Sequence, residues 1–418
     1  MVDSQAYGTT LRRIGWNTAW LGIARAVTQA QLAVFTILVA RQLGTIEFGA
    51  YATITTIIAV ANVATTFGTD TLLIRGIAAD RESSQRAASQ ALALQLGFSI
   101  TTIAALVLWT RLGGSGRGGI SAGLTLYMFT LLPLSFFSVY TAVLRGFERM
   151  DFYLLLNLAV VTLQVGGSWI LLTHFVSLNA LLAWLLGVQV LAAVLAGTLC
   201  RRAGFGGFTL QGVSPGALKQ MGRVAVPLAM IGILGIVYQR MGVLALSITA
   251  TPDQVGWYAA GARVVEAAKL VHIAVLGALL PALSRPRDPA SLALRPTVFR
   301  SAALFLLAVS GGIALLTIGW GKPFINFLYG VNFAPAGQVL QIQALSLVPY
   351  TISACFSVRA ITQHREGFVM KTVLLAAIFS LVANLSLGSL LGASGAALAI
   401  LGAESLQAAV FIFDWKFR

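Results

Sequence analysis

The sequence predicts an all-α polytopic membrane protein with 12 transmembrane helices in two six-helix lobes, a six-plus-six repeat. Three observations carry that expectation. Hydrophobic residues make up 58% of the 418 and charged residues 10%, and mean hydropathy is +0.86, which leaves too little polar surface to cover a water-soluble globule. The apolar residues gather into stretches of about 20, the length at which an α-helix crosses a bilayer core. The basic residues crowd into every second gap between those stretches.

The stretches fall near 17–40, 50–74, 88–110, 121–144, 153–173, 179–200, 224–248, 256–283, 300–320, 336–358, 370–390 and 394–413. Arg12 and Arg13 ahead of the first imitate a signal peptide. The run behind them is too long and lacks a small-residue cleavage pattern, so it is expected to be a retained first helix. Alternate gaps, at 1–15, 75–87, 145–152, 201–223, 285–300, 359–371 and 414–418, hold 20 of the 28 lysines and arginines. The other gaps hold Arg41, Arg111, Arg117 and Lys322. Positive charge is retained in the cytoplasm, so the rich side and both termini are expected there. The net charge of +15 then reflects membrane edges and anionic headgroups, not nucleic acid. Trp16, Trp20, Trp109, Trp257, Trp320 and Trp415 lie at expected helix ends and read as interface anchors.

The longest connection, Arg201 to Arg223, contains Gly204, Gly206, Gly207, Gly212, Pro215 and Gly216 and divides the chain into equal halves. The expected organisation is an N-terminal six-helix lobe over 1–200, a cytoplasmic linker over 201–223 and a C-terminal lobe over 224–418. Two echoes suggest that the halves are repeats. After the first helix, Glu47-Phe48-Gly49-Ala50-Tyr51-Ala52 parallels Asp253-Gln254-Val255-Gly256-Trp257-Tyr258-Ala259 after the seventh. After the fourth, Leu144 to Phe152 parallels Arg359 to Phe368 after the tenth. Parallel repeats related by an axis along the membrane normal are a transporter architecture, with substrate held between the lobes.

Ala40-Arg41-Gln42-Leu43-Gly44 through Phe48-Gly49-Ala50-Tyr51, Leu144-Arg145-Gly146 with Tyr153 to Asn157, and Val255-Gly256-Trp257-Tyr258-Ala259-Ala260 with Arg263-Val264-Val265-Glu266 carry a resemblance. With the helix spacing, they make the chain resemble the polysaccharide or O-antigen flippase branch of the multidrug/oligosaccharidyl-lipid/polysaccharide exporter superfamily. That resemblance implies two lobes around a central cavity, alternating access, and movement of an undecaprenyl-diphosphate-linked oligosaccharide from the inner to the outer leaflet of the bacterial cytoplasmic (inner) membrane. The expected partners are that lipid-linked sugar, membrane lipids and a coupling H⁺ or Na⁺, with no cofactor. Helices thirteen and fourteen of the longer peptidoglycan-precursor form are not seen.

Arg25, Arg240, Arg263 and Lys269 lie inside apolar stretches. A lone cation at bilayer depth costs at least about 2.5–3.5 kcal/mol, so each is expected to face a wet cavity or a partner. As anion ligands they would hold the diphosphate, because guanidinium forks match phosphate oxygens. Arg263, Glu266 and Lys269 follow at three-residue intervals and can neutralise one another, whereas Arg25 and Arg240 have no acid within a helical turn. Asp70 and Arg75 suggest a local pair or gate. Glu404, the only acid of the last stretch, is a candidate for ion coupling or a neutral group packed near Gln407.

Enzyme chemistry lacks parts: His174, His272 and His364 are isolated in sequence, and neither metal-ligand spacing nor a P-loop occurs. A membrane glycosyltransferase or acyltransferase would need a catalytic constellation that is not visible. Cys200 and Cys355 are too far apart in sequence and setting to suggest a disulfide framework. The main competitor is an ion-coupled antiporter of cationic drugs with the same fold, which should place acids where the substrate sits.

Overall fold

The computed structural model describes the backbone of residues 4–112, 118–209, 212–284 and 289–416, and the side chains of 27–112, 120–209, 212–277, 279 and 297–415. Thirteen α-helices run through these residues: α1 Ser4–Thr66, α2 Thr69–Ala79, α3 Ser84–Arg111, α4 Gly118–Tyr127, α5 Leu131–Gly146, α6 Met150–His174, α7 Leu178–Arg202, α8 Pro215–Thr249, α9 Pro252–Ser284, α10 Pro289–Tyr329, α11 Ala336–Leu345, α12 Leu347–Thr362 and α13 Glu366–Lys416. Strands are absent from the described residues. Nine helices among them are long and apolar enough to cross a membrane. The chain is therefore an all-α, multi-pass membrane protein.

Two of these helices are double segments. α13 would be roughly 75 Å long if straight, at the usual rise. Yet the Arg365 guanidinium just before its start lies 2.7 Å from the Asp414 carboxylate near its end, and Phe368 packs on Phe411 with ring centroids 5.6 Å apart. The helix must double back, and Gly392 is where it does so, at φ 59°, ψ −134°. A side chain disfavours that backbone region. α1 is interrupted in the same way at Gly44, with φ 75° and ψ −179°. Both breaks coincide with gaps expected between apolar stretches.

Helix packing divides the chain into two compact units, Met1–Gln42 with Ile58–Ile233, and Leu43–Ile57 with Leu234–Arg418. In the first, Leu73, Ile77, Ala88, Val139, Leu144 and Ala196 belong to one buried cluster. The Gly-rich connection is anchored in this unit. Phe205 is buried and meets Tyr140 edge-on, Phe208 packs on Phe136 and Tyr140, and the Thr209 backbone N–H donates to the Ser89 hydroxyl at 2.8 Å. The second unit takes in residues 43–57 from early in the chain, and its boundary with the first falls within α8, beyond the 201–223 connection.

The second sequence echo is also a structural one. α5 ends with the Arg149 N–H donating to the Leu144 carbonyl and Glu148 at φ 60°; α12 ends with the Arg365 N–H donating to the Ala360 carbonyl and His364 at φ 58°. This is the six-to-one bond of a helix stop with one left-handed residue. In each case the arginine that follows lies over the aromatic ring three positions on, Arg149 over Phe152 at 3.8 Å and Arg365 over Phe368 at 4.7 Å.

The first echo is a crossing within the second unit. A Cβ on Gly49 would overlap the Pro252 carbonyl oxygen, and one on Gly256 would overlap the Thr45 carbonyl oxygen. Small residues let helix backbones approach this closely in a membrane. The tyrosines two positions after each glycine, Tyr51 and Tyr258, are both buried.

Candidate functional site

The second unit holds a cluster of charged side chains inside its helices. Arg240 on α8 donates from Nη1 to Glu266 Oε1 at 3.0 Å, and Arg263 on α9 donates from Nη1 to Glu266 Oε2 at 2.8 Å. One carboxylate thus joins two arginines. Lys269 Nζ lies 3.9 Å from Glu404 Oε1 on α13 and 4.0 Å from the centre of the Tyr350 ring on α12. The Glu404 side chain is 4% exposed. The Tyr238 hydroxyl lies beside it without a hydrogen bond of ordinary geometry.

The helical period explains who pairs with whom. Each three-residue step along α9 turns back by about 60°, so Arg263 and Glu266 remain neighbours while Lys269 has rotated about 120° from Arg263. Lys269 accordingly faces α13 and takes Glu404 instead of Glu266. Of the mutual neutralisation expected along the helix, the Arg263–Glu266 part is present and the Lys269 part is corrected. A second correction concerns Arg240: it lacks an acid on its own helix, but α9 supplies one from 26 positions away. Glu404 is held by Lys269, and no hydrogen bond joins it to Gln407 among the described residues.

Three cations therefore face two carboxylates, leaving one positive charge in excess. Pairing offsets the cost of placing each charge among apolar helices. The cluster is not sealed: the Arg240, Glu266 and Arg263 side chains are 20%, 28% and 37% exposed. Arg240 Nε is buried without a partner, so a donor of the guanidinium fork remains unused. Such a site suits a multiply charged anion that can exchange with Glu266 for both arginines.

Asp70 and Arg75 do not pair. Five positions apart, they lie about 140° apart around α2, and the Asp70 carboxylate instead meets Arg145 of α5 at 3.8 Å. Arg75 is exposed, with no ion pair to a described acid. Arg25 lies on α1 outside the residues whose side chains are described.

Other participants were not evident in sequence. His272, isolated along the chain, is not isolated in space: its Nε2 lies 2.9 Å from Ser310 Oγ and 2.8 Å from Thr351 Oγ1, which are 2.6 Å from each other. All three are buried, and the His272 ring packs edge-on against Tyr350. Tyr350 thereby touches both Lys269 and His272. Gln343 donates to the Tyr258 carbonyl at 3.3 Å. Aromatic and hydroxyl residues of this kind are common in apolar helices and carry no distinctive spacing, so only the packing singles them out.

The sequence pattern of the polysaccharide biosynthesis protein family (Polysacc_synt) matches residues 14–286. No curated protein matches the sequence. Solved structures match the fold over nearly its whole length. An inward-facing multidrug resistance MATE family transporter of the MOP superfamily is 16% identical with a TM-score of 0.76, covering 94% of this chain and 94% of that one. The lipid II flippase MurJ in an inward closed conformation is 14% identical with a TM-score of 0.77, covering 94% and 87%. A variant of a Vibrio cholerae MATE transporter is 16% identical with a TM-score of 0.62, covering 98% of each. These neighbours are transporters and a flippase, not enzymes.

Proposed function

The chain belongs to the polysaccharide biosynthesis protein family, and on that premise we propose that it is a flippase for a lipid-linked oligosaccharide. Its fold is that of the MOP exporters. The substrate of this reading is a sugar on undecaprenyl diphosphate, moved by alternating access from the inner to the outer leaflet of the bacterial cytoplasmic membrane for surface polysaccharide synthesis. The observation that carries it is the excess of cations in the intramembrane cluster. Arg240 and Arg263 take the diphosphate oxygens in place of Glu266, and Lys269 supplies the third positive charge. Glu266 keeps the empty site near neutrality, so releasing the anion does not leave two bare guanidinium groups among apolar helices. Arg25, whose side chain lies outside the described residues, stands on its sequence position alone as a further anion ligand, and the Asp70–Arg145 pair is a candidate gate.

A second reading, a cation-coupled drug antiporter, is favoured by one feature: the buried carboxylate of Glu404, a group able to take up a proton or Na⁺. The two separate experimentally. Deletion of the gene is expected to accumulate lipid-linked sugar in the inner leaflet and deplete surface glycan, and Arg240→Gln with Arg263→Gln to reproduce that loss. Unchanged glycan and lipid pools on deletion would refute the flippase reading. Glycan export that survives the double substitution, together with drug efflux that collapses in Glu404→Gln, would establish the antiporter.

A further inference from the structure

We propose that α10, α12 and α13 form a binding site for an anionic glycerophospholipid, separate from the charged cluster. A cavity of about 590 Å³ lies between these helices. Arg300, Arg359, Gln363 and Trp415 line one end; Leu304, Leu307, Ile352 and Cys355 line the body, which reaches Thr351. The polar end comprises the beginning of the span Thr297–Tyr329, the end of the span Ala336–Thr362 and the end of the span Glu366–Trp415. It therefore sits at one membrane edge, the edge the charge pattern assigns to the cytoplasm.

The two arginines are poised for an anion. Neither makes an ion pair with a described acid, whereas neighbouring Arg365 is fully engaged by Asp414 at 2.7 and 2.9 Å. The Arg359 guanidinium carbon lies 3.7 Å from the centre of the Trp415 ring and 5.5 Å from that of Phe299. Contact with these rings holds the cation in place, and with no ion pair to a described acid its N–H groups are available to a phosphate. From Thr362 to Thr351 the cavity wall runs about 16 Å along the helix, enough for much of one acyl chain. Leu304, on that wall, is 55% exposed, so the slot is open to the bilayer. A basic head, an aromatic collar and a lateral apolar slot match one lipid phosphate and its tail.

The test is native mass spectrometry on the full chain, purified with equimolar phosphatidylglycerol and phosphatidylcholine. Wild type is expected to retain phosphatidylglycerol preferentially. Arg359→Gln and Arg300→Gln should each lower that retention about five-fold, the order of one basic side chain's contribution beside an anionic headgroup. Lys371→Gln, which removes an exposed charge in the same unit, should not. Arg359→Lys keeps the charge but not the planar fork and should retain the lipid at a level between wild type and Arg359→Gln, which separates electrostatics from damage to packing on Trp415. Equal retention of both lipids by wild type, undiminished retention by the Arg300→Gln, Arg359→Gln double variant, or loss in Arg359→Lys as severe as in Arg359→Gln would each overturn the site. Displacement of phosphatidylglycerol by an equimolar polyprenyl phosphate would assign the slot to the substrate's own lipid and overturn it as well.

Discussion

Substituting Gly256 by alanine tests the crossing at the heart of the second unit. The new Cβ would overlap the Thr45 carbonyl oxygen, a backbone atom that cannot rotate aside. Restoring an ordinary carbon–oxygen contact of about 3.3 Å requires the two segments to part by something on the order of 1 Å. Such overpacking typically costs about 1–3 kcal/mol, which raises the unfolded fraction about 5- to 150-fold. For a unit of this size the melting temperature should fall by roughly 2–12 °C. Gly49→Ala, whose Cβ would overlap the Pro252 carbonyl oxygen more deeply, should cost at least as much, and the double variant should cost less than the sum, since parting the same two segments eases both overlaps. The buried free thiols report unit by unit: Cys200 lies in the first and Cys355 in the second. With single-cysteine proteins and a thiol-reactive dye, Gly256→Ala should bring Cys355 labelling to lower temperature while Cys200 labelling stays near its original midpoint. Wild-type melting of Gly256→Ala would refute the close-approach argument. Equal shifts at both thiols would mean that the two units unfold together.

Further outcomes follow from the charged groups. Glu266→Gln removes the carboxylate shared by Arg240 and Arg263 and should destabilise the second unit by roughly 1–3 kcal/mol, discounted for partial exposure; unchanged Cys355 labelling would mean that the arginines find another counter-charge. Tyr350→Leu should cost about 0.5–2 kcal/mol through loss of the ring beneath Lys269, whereas Tyr350→Phe, which keeps the ring, should cost little; equal effects would exclude the cation–ring contact. Arg145→Gln should lower first-unit stability by at most about 1 kcal/mol, as a partly exposed pair at 3.8 Å warrants, and Arg75→Gln should leave it unchanged; the reverse order in Cys200 labelling would reinstate an Asp70–Arg75 pair.

Membrane residence was legible because hydropathy is a sum over many residues and tolerates local error. The breaks at Gly44 and Gly392 were legible for a related reason, since each interrupts an apolar run at a length the bilayer dictates. The second echo was legible as a likeness of two gaps, but that Arg149 and Arg365 close the same helix stop came only from the backbone. Pairing was not legible. Spacing along a helix foretold Arg263–Glu266 correctly, but Arg240–Glu266, Lys269–Glu404 and Asp70–Arg145 all join different helices, where sequence distance says nothing about separation. The two glycines of the first echo read in sequence as a repeat, whereas their role as mutual contacts is visible only in the backbone geometry.

The membership of residues 43–57 in the second unit has a consequence for the order of synthesis. Phe48 packs edge-on against Phe333, and Gly49 awaits Pro252 and Gly256, about 200 residues downstream. At roughly 5–20 residues per second, this segment leaves the ribosome about 10–40 s before its nearest partners exist. Throughout that interval Phe48 and Tyr51, both later buried, have to be housed by lipid or by the insertion machinery. A gene cut at the midpoint connection would part this segment from the unit it completes, so the C-terminal half expressed alone should be rescued by supplying residues 43–57 in trans.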